Sequence, residues 1–351
     1  MHYVRHKFRA TLGKSKVFRH GDQVLLLFDG SVPTVLLKQF IDEGLSESSH
    51  KKLKINPAMV VMLKGDEPRQ NCEYLFKYVF ERCANCKCFT TTIQNCLWNS
   101  DSGFESGLVR WNSPRELGSS WNDCERLIGP QASLAKLLES VSDRTNAERL
   151  RNLVENVALV RLCEKLGYAK VIISDSMTEL SAAVMSSVVF GNGPHIAAEA
   201  SVTDHRFEGV TIIRALRELS SKEIGLFAHF ANLEPVVSNQ RKLEGGGSGS
   251  VQAITRGFIA NLQMRFPATV STVFTTSGKV SQASTGCQNE SAVVDVDNSG
   301  TVCKLCYSKV VDDELRSTVV KSESNIRPLS LCHSCNVVLA DVADLTLLPP
   351  L

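Results

Sequence analysis

Two cysteine pairs near the end of the chain have the spacing of metal ligands. Cys303 and Cys306 form one Cys-x-x-Cys pair, Cys332 and Cys335 form a second, and 25 residues lie between the pairs. Each pair can place two thiolates about 2.3 Å from one Zn²⁺, and two pairs complete a tetrahedron. Because protein ligands would fill every position, we expect a structural zinc that folds the tail rather than a catalytic one. The alternative is four unrelated buried cysteines.

A second cysteine cluster has a less specific pattern. Cys83, Cys86 and Cys88 lie in the sequence CANCKC, with Cys72 and Cys96 nearby. The cluster could bind a metal or carry sulfur, but its spacing fits no tetrahedral template. Because the cysteines are clustered in a long chain, a reducing compartment is favoured over a secreted disulfide scaffold.

The stretch Leu25–Leu37, LLLFDGSVPTVLL, predicts a buried strand, a tight turn and a helix with Pro33 in its first turn. A phosphate-binding loop commonly occupies such a turn, because backbone amides at a helix start attract anions. Asp29 argues against that function. A carboxylate about 4 Å from a phosphate oxygen repels it by roughly 4 kcal/mol at an effective dielectric of about 20, which is about a thousandfold in affinity.

Pro33 removes an amide donor from the same turn. We therefore expect the loop to bind ATP poorly or not at all. From these residues alone, a decayed nucleotide loop and an ordinary turn between strand and helix remain equally open.

The order of elements predicts an α/β fold with a doubly wound parallel sheet. Short apolar runs alternate with amphipathic segments, as in Ala58–Gly65, Lys170–Ser176 and the helix that Gly167 ends. The predicted organisation is a basic N-terminal segment, 1–20; an α/β domain, 21–235, with a loop-rich insertion, 83–129; a flexible linker, 245–250; and a helix with a C-terminal zinc module, 251–351. Within the last part, Ser271–Asn298 is expected to be weakly structured. The linker sequence GGGSGS favours an engineered replacement for a natural loop.

Charge is balanced overall but uneven locally. Lys and Arg number 39 against 37 Asp and Glu, a net charge of +2. The basic residues that precede the first acid, Asp22, include Arg5, Lys7, Arg9, Lys14 and Lys16. They could bind RNA phosphates, with Lys279 and Lys304 adding to them, or could merely solvate a surface helix. No apolar run is long enough to span a bilayer and no signal sequence is evident, so we expect no membrane association.

Several stretches together resemble a known family. VRHKFRATLGK near the N-terminus, KVIISDSMTELSAAVMSSVVFGNG from Lys170, VTIIRALRELSSKEIGLFAHF from Val210 and the two cysteine pairs resemble the second-subunit family of cytoplasmic tRNA 2-thiolation proteins. The more specific parts are Asp175–Thr178 and Arg214–Arg217. The resemblance covers most of the chain outside the insertion and linker, and it implies a cysteine-rich N-terminal extension ahead of this sequence.

The loop then resembles a degenerate PP-loop, whose Ser-Gly-Gly-x-Asp-Ser turn grips the pyrophosphate of ATP. Asp29 stands in place of the first serine, Gly30 is kept, and Ser31 replaces the second glycine. Pro33 replaces the aspartate and Thr34 stands for the last serine. The resemblance implies the fold of the PP-loop ATP pyrophosphatases, with Gly30, Ser31 and Thr34 as the remnants of an inactive nucleotide site.

The resemblance also implies a role in tRNA modification in the cytoplasm. A catalytic PP-loop partner would use ATP to adenylate the wobble uridine, and sulfur from a thiocarboxylated ubiquitin-like modifier would replace its O2. This chain would be a non-catalytic subunit that helps to bind tRNA. The segment ESVSDRT, 139–145, has no cysteine where catalytic relatives carry a pair, and Cys124 and Cys163 are expected to be inert. The alternatives are an independent ATP-dependent tRNA sulfurtransferase and a zinc-stapled protein-interaction module without RNA binding.

Overall fold

The chain forms two compact units. The computed structural model describes residues 2–46, 52–82, 86–111, 125–128, 131–193, 196–237, 249–285, 302–308, 318–322 and 325–350. The first unit contains Met1–Ala132, Ala158–Glu179 and Val202–Glu244, and the second contains Ser133–Val157, Leu180–Ser201 and Gly245–Leu351. Residues 133–157 and 180–201, which the predicted organisation assigns to the α/β domain, therefore group with the C-terminal residues.

A seven-stranded sheet forms the centre of the first unit. The strands of the chain are β1 Asp22–Leu27, β2 Ile55–Leu63, β3 Lys87–Thr92, β4 Val109–Trp111, β5 Lys170–Ile173, β6 Thr203–Asp204, β7 Thr211–Arg214, β8 Thr318–Ser322 and β9 Asn325–Leu329. The sheet order is β4-β3-β2-β1-β5-β7-β6, while β8 and β9 form a separate antiparallel pair. Pairing is parallel from β3 to β7, and β4 and β6 are antiparallel at the edges. The chain builds outward from β1 in both directions, so the predicted doubly wound α/β class is confirmed.

The helices match most of the predicted ones. They are α1 His2–Lys14, α2 Val32–Ser46, α3 Arg69–Arg82, α4 Ile93–Trp98, α5 Asp101–Ser106, α6 Ala132–Glu139, α7 Arg144–Leu166, α8 Met177–Val189, α9 Ile196–Ala200, α10 Ser221–Phe230, α11 Val251–Arg265, α12 Pro267–Thr285 and α13 His333–Ala340, with a 3₁₀ turn at Leu345–Leu347. Gly167 ends α7 with φ of 75°, and Tyr168 N donates to Cys163 O at 2.8 Å, as a glycine cap requires. None of the described helices is long and apolar enough to cross a bilayer.

The core of the first unit lies where helices cover the central strands. Leu25 and Leu26 of β1 are buried, because both of its neighbours in the sheet are parallel strands covered by helices. Three aromatic rings join α1, α2 and α10: the Phe40 centroid lies 5.1 Å from that of Phe8 and 5.2 Å from that of Phe227. The N-terminal helix is therefore part of the core of this unit.

The predicted loop-rich insertion is wrong for the part that the structure describes. Residues 86–111 contain β3 and β4, and β3 pairs with β2 along its whole length. The sequence CFTTT did not indicate a buried strand, because its threonine hydroxyls are polar. Thr91 Oγ1 donates to Gly107 O at 3.0 Å and Thr90 Oγ1 accepts from Trp111 Nε1 at 3.0 Å, so these buried hydroxyls are satisfied. Residues 83–85, 112–124, 129 and 130 lie outside the described part.

The expectation of weak structure over Ser271–Asn298 is also wrong as far as residue 285. Helix α12 runs to Thr285, beginning with proline at a position that suits it. Thr272 and Thr275 donate to carbonyls of the same helix, Thr275 Oγ1 to Ser271 O at 2.7 Å, while Val270 and Phe274 are buried. Residues 286–298 lie outside the described part.

Part of the predicted linker has a structural role. Residues 245–248 are not described, but Ser250 is the N-cap of α11 and accepts a hydrogen bond from Ala253 N at 3.1 Å. Its hydroxyl also donates to Glu148 Oε2 at 2.6 Å. Whatever precedes it, this serine fixes where α11 begins.

Candidate nucleotide loop and candidate metal centre

The loop between β1 and α2 lies at the carboxyl edge of the sheet. Residues Phe28–Ser31 connect the two elements, and the carboxyl end of β5 is adjacent because β1 pairs with β5. Later strands are added to the sheet on both sides of β1. Open α/β sheets bind ligands at such a point, at the carboxyl ends of the strands. The predicted remnant residues Gly30, Ser31 and Thr34 are thus in the position that a nucleotide loop would take.

The carboxylate of Asp29 occupies the hydrogen-bond donors of this loop. Asp29 Oδ1 accepts from Ser31 N at 2.9 Å, from Ser31 Oγ at 2.6 Å and from Thr34 Oγ1 at 2.9 Å. These are the amide and hydroxyls that the resemblance assigns to pyrophosphate. A negative side chain therefore lies where the anion would be, and the start of α2 favours it there.

Gly30 is in close contact with other parts of the chain. Its φ of 76° favours glycine, and Leu75 Cδ2, which would lie 2.6 Å from an added Cβ, would have to move for any larger residue. Its carbonyl accepts from Val236 N at 2.9 Å and Val237 N at 3.2 Å, so residues of a distant segment bond directly to the turn. The residues present do not fit a triphosphate, because the donors are used and the added charge would be repelled.

At two further helix starts on the same sheet edge, a carboxylate likewise accepts hydrogen bonds from a backbone amide and a hydroxyl. Ser176 N and Oγ both donate to Glu179 Oε2 at 2.9 Å, just before α8. Ser220 N and Oγ donate to Glu223 Oε2 at 2.7 and 3.0 Å, a capping box at α10. Sequence reasoning missed both carboxylates, although the spacing Ser-x-x-Glu in SMTE and SSKE was the signal for them.

The two segments that carry the family resemblance meet at this edge. Ser176 Oγ and Ser221 Oγ are 2.9 Å apart, and Ser221 N donates to Thr178 Oγ1 at 3.0 Å. Arg214 at the end of β7 pairs with Asp204 at 3.2 Å and lies 3.5 Å from Asp175. These side chains join the ends of β5, β7 and β6 through contacts within the chain.

The predicted RNA-binding residues divide into two sets. Arg5 makes a two-point ion pair with Glu43, at 2.8 and 2.9 Å, and its guanidinium lies 5.1 Å from the centroid of the Phe227 ring. The hydrogen bond from Arg5 lowers the pKa of Glu43. Lys7 Nζ donates to Glu218 O at 3.0 Å and to Glu223 Oε1 at 3.2 Å. These two cations hold α1 on the first unit.

Arg9, Lys14 and Lys16 are exposed at the surface. Lys16 lies just after α1 and has φ of 45°, which marks the turn out of the helix. The exposed histidines of α1, His2 and His6, lie four residues apart on the same helix and add no negative charge. The outer face of α1 and the turn after it are therefore basic.

The structure brings the four C-terminal cysteines together. The Sγ atoms of Cys303, Cys306, Cys332 and Cys335 all lie within 4.8 Å of one another. The Cys306 and Cys332 Sγ atoms are 3.7 Å apart. A tetrahedron with Zn–S bonds of about 2.3 Å has sulfur–sulfur edges of about 3.8 Å, so the sulfur set fits one tetrahedral ion. The four-cysteine cluster could bind a metal ion.

Backbone hydrogen bonds set this geometry. Cys303 N donates to Ser308 O at 2.9 Å and Tyr307 N to Cys303 O at 2.8 Å, which folds the first pair into a tight turn. Cys332 is the N-cap of α13, so the second pair lies at a helix start that stabilises thiolates. Hydrogen bonding from Cys306 lowers the pKa of Cys303 to about 6.

The other cysteines make a different environment. Burial raises the pKa of Cys72 to about 11 and of Cys96 and Cys163 to about 12, so these thiols stay protonated. Cys86 and Cys88 have their sulfurs 3.6 Å apart, while Cys83 and Cys124 lie outside the described residues. Within the described residues, no other set of three or more His, Cys, Asp or Glu brings its ligand atoms as close as the C-terminal four do.

Comparison with known proteins finds similarity to the family that the sequence motifs resemble. Residues 250–330 match the family model described as cytoplasmic tRNA 2-thiolation protein 2. Proteins of that name are 28% identical over 362 residues in Drosophila ananassae, covering 97% of this chain and 84% of the relative, and 28% identical over 356 residues in Aedes aegypti, covering 99% and 72%. The 2-A protein of Xenopus laevis is 25% identical over 350 residues, covering 87% and 67%.

The predicted resemblance is confirmed. This chain is similar to cytoplasmic tRNA 2-thiolation protein 2 along nearly its whole length, and these relatives carry the word cytoplasmic in their names. The fold resembles that of the U34-tRNA thiolase NcsA from Methanococcus maripaludis, solved with its [4Fe-4S] cluster. That match has a TM-score of 0.56 and 13% identity, and it covers 87% of this chain and 86% of the other. It shows that the two chains share a fold.

Replacing Asp29 tests whether its carboxylate closes the loop. Asp29→Ser restores the residue of the PP-loop pattern and frees the Ser31 and Thr34 donors, so we expect affinity for magnesium ATP to rise at least about tenfold. Isothermal titration of the whole chain measures it. Asp42→Ser, an exposed change in α2, is the matched control. Equal, weak binding by both variants would show that the carboxylate is not what excludes nucleotide.

Metal content tests the cysteine centre. Cys306→Ser and Cys335→Ser each remove one ligand, so we expect the metal, about one ion per chain in the unaltered protein, to be lost from both. Elemental analysis of the purified chain measures it. Cys96→Ala removes a buried thiol outside the cluster and should retain the ion. Full metal content in both serine variants contradicts the assignment.

Proposed function

We propose that the chain is a non-catalytic subunit of a cytoplasmic tRNA wobble-uridine 2-thiolation complex. It pairs with a catalytic PP-loop subunit and contributes to tRNA binding. The names and extent of its relatives support the tRNA thiolation context. The observation that carries the non-catalytic role is the Asp29 carboxylate, which fills the loop that a catalytic subunit needs for ATP.

The chemistry then belongs to the partner. The uridine O2 attacks the α-phosphorus of ATP, pyrophosphate leaves, and C2 becomes electrophilic through its adenylate. The sulfur of the thiocarboxylate of a ubiquitin-like modifier attacks C2, and the C2–O2 bond breaks with release of AMP. Water then cleaves the bond between the modifier's carbonyl carbon and the sulfur, which releases the modifier as a carboxylate and leaves the sulfur on C2. In this chain the sheet edge where such a reaction would occur is used for hydrogen bonds between its own elements, so it acts as scaffold.

The basic outer face of α1 supports the tRNA contact. Arg9 and Lys14 lie on this helix and Lys16 in the turn after it, and the inner side of the helix is anchored in the core by Val4, Phe8 and Leu12. A rigid basic surface binds phosphates without reading base sequence, as a contact to the body of a tRNA would. We propose that Arg5 and Lys7 act indirectly, since their ion pairs fix the position of this helix.

The C-terminal cysteines are proposed to bind a structural Zn²⁺. Four thiolates leave no open position on a tetrahedral ion, so the metal would stabilise the fold of the second unit and take no part in sulfur transfer. ATP would enter the reaction only through the partner.

Charge reversal at the α1 surface tests tRNA binding. For Lys14→Glu with Lys16→Glu we expect affinity for tRNA to fall at least about tenfold, and the slope of log K against log salt to become shallower by about 1 to 2, since two phosphate contacts are lost. Fluorescence anisotropy across a salt series measures both. Lys136→Glu, an exposed lysine of α6, should bind as the parent does. No salt-sensitive binding by the parent would favour a protein-interaction module.

Reconstitution tests the division of labour. With tRNA, ATP and a thiocarboxylated modifier, we expect no 2-thiouridine from this chain alone and full formation when a catalytic PP-loop subunit is added. Mass spectrometry of the digested tRNA measures the product. Thiolation by this chain alone would overturn the proposal in favour of an independent sulfurtransferase.

A further inference from the structure

A buried arginine lies beside the cysteine centre of the second unit. Arg149 of α7 is 8% exposed, and its guanidinium lies 4.3 Å from the centroid of the Phe190 ring. Its Nη2 donates a hydrogen bond to Ser334 Oγ, a neutral hydroxyl. Burying a guanidinium is unfavourable unless a negative charge lies nearby, and contact with a ring face only partly offsets that cost.

The hydrogen-bond partner of Arg149 lies within the second cysteine pair, Cys332 and Cys335. Ser334, which accepts the hydrogen bond from Arg149, lies between these two cysteines in the sequence and donates in turn to Phe190 O at 3.2 Å. The arginine is therefore hydrogen-bonded to the turn that contains the second pair of cysteine ligands.

A divalent ion bound by four thiolates has a net charge of 2−, from 2+ and four single negative charges. Such a centre in a buried site needs a counter-charge, and groups around metal ligands commonly supply it. We propose that Arg149 is the positioning residue of the metal centre: it supplies the counter-charge and fixes the Cys332–Cys335 turn through Ser334. This inference rests on the proposed metal centre and goes beyond it.

Residues after α13 also form hydrogen bonds with the segment at the start of α7. Asp341, after α13, accepts from Asp143 N at 2.9 Å, from Asn146 Nδ2 at 3.3 Å and from Ser142 Oγ. Ala343 N donates to Ser140 O at 3.0 Å. The cysteine turn, Arg149 and the first turns of α7 therefore form one connected group, so metal binding stabilises the start of that helix.

Metal affinity tests the role of Arg149. In the full chain, Arg149→Gln removes the charge, Arg149→Lys keeps it, and Arg265→Gln makes the same change at an exposed site of the same unit. We expect Zn²⁺ affinity, measured by competition with a chromogenic chelator, to fall about 10- to 100-fold in Arg149→Gln. The loss should be smaller in Arg149→Lys and absent in Arg265→Gln.

Two controls separate charge from packing. Cobalt-loaded Arg149→Gln should keep the absorption of a tetrahedral four-thiolate site, which shows that the ligands are intact. Thermal melting with and without chelator should show that the substitution destabilises the loaded chain more than the stripped chain. Equal Zn²⁺ affinity in Arg149→Gln and the parent overturns the proposal, as does equal destabilisation of the loaded and stripped forms. If the parent itself holds no metal, the metal centre is wrong as well, whatever the outcome for tRNA.

Discussion

The hydrogen bonds that Asp29 accepts from Ser31 and Thr34 determine what the carboxyl edge of the sheet can do. A helix start beside a parallel strand leaves amides that need an acceptor, and in a nucleotide-binding protein the ligand is that acceptor. In this chain Asp29, Glu179 and Glu223 fill the role at three neighbouring helix starts. These helix starts therefore need no ligand to satisfy the donors that the carboxylates contact, as the proposed scaffold role requires.

The N-terminal helix is also held by contacts within the chain. One face of α1 contributes Phe8 to an aromatic cluster, and Arg5 and Lys7 extend that attachment with ion pairs to acids on α2 and α10. Lys7 pairs with Glu223, the residue that also caps α10. Stability and surface charge are therefore separated on one helix: the basic residues near its start anchor it, and those at its end face solvent.

Local patterns predicted much of this structure, while long-range contacts were beyond them. The apolar run through Leu25 and the two Cys-x-x-Cys pairs are readable because neighbouring residues define them. Strand β3 was missed because its threonines satisfy their hydroxyls on partners such as Gly107, which the sequence does not reveal. The hydrogen bonds that Asp29 accepts come from residues of the same turn. The sequence therefore indicated that its carboxylate would repel a phosphate, but it did not indicate that the carboxylate accepts the hydrogen bonds of the loop. Arg149 meets Ser334 across 185 residues, and no spacing rule reaches that far.

Asp341 has a consequence for how the molecule is made. Its carboxylate bonds the first residues of α7, almost two hundred positions earlier in the chain. A contact of such long sequence separation forms later in folding than contacts between neighbouring residues, because the intervening chain must first be ordered. Asp143 caps the helix locally, since its Oδ2 accepts from Asn146 N at 3.0 Å, so Asp341 secures the capping residue rather than the helix itself.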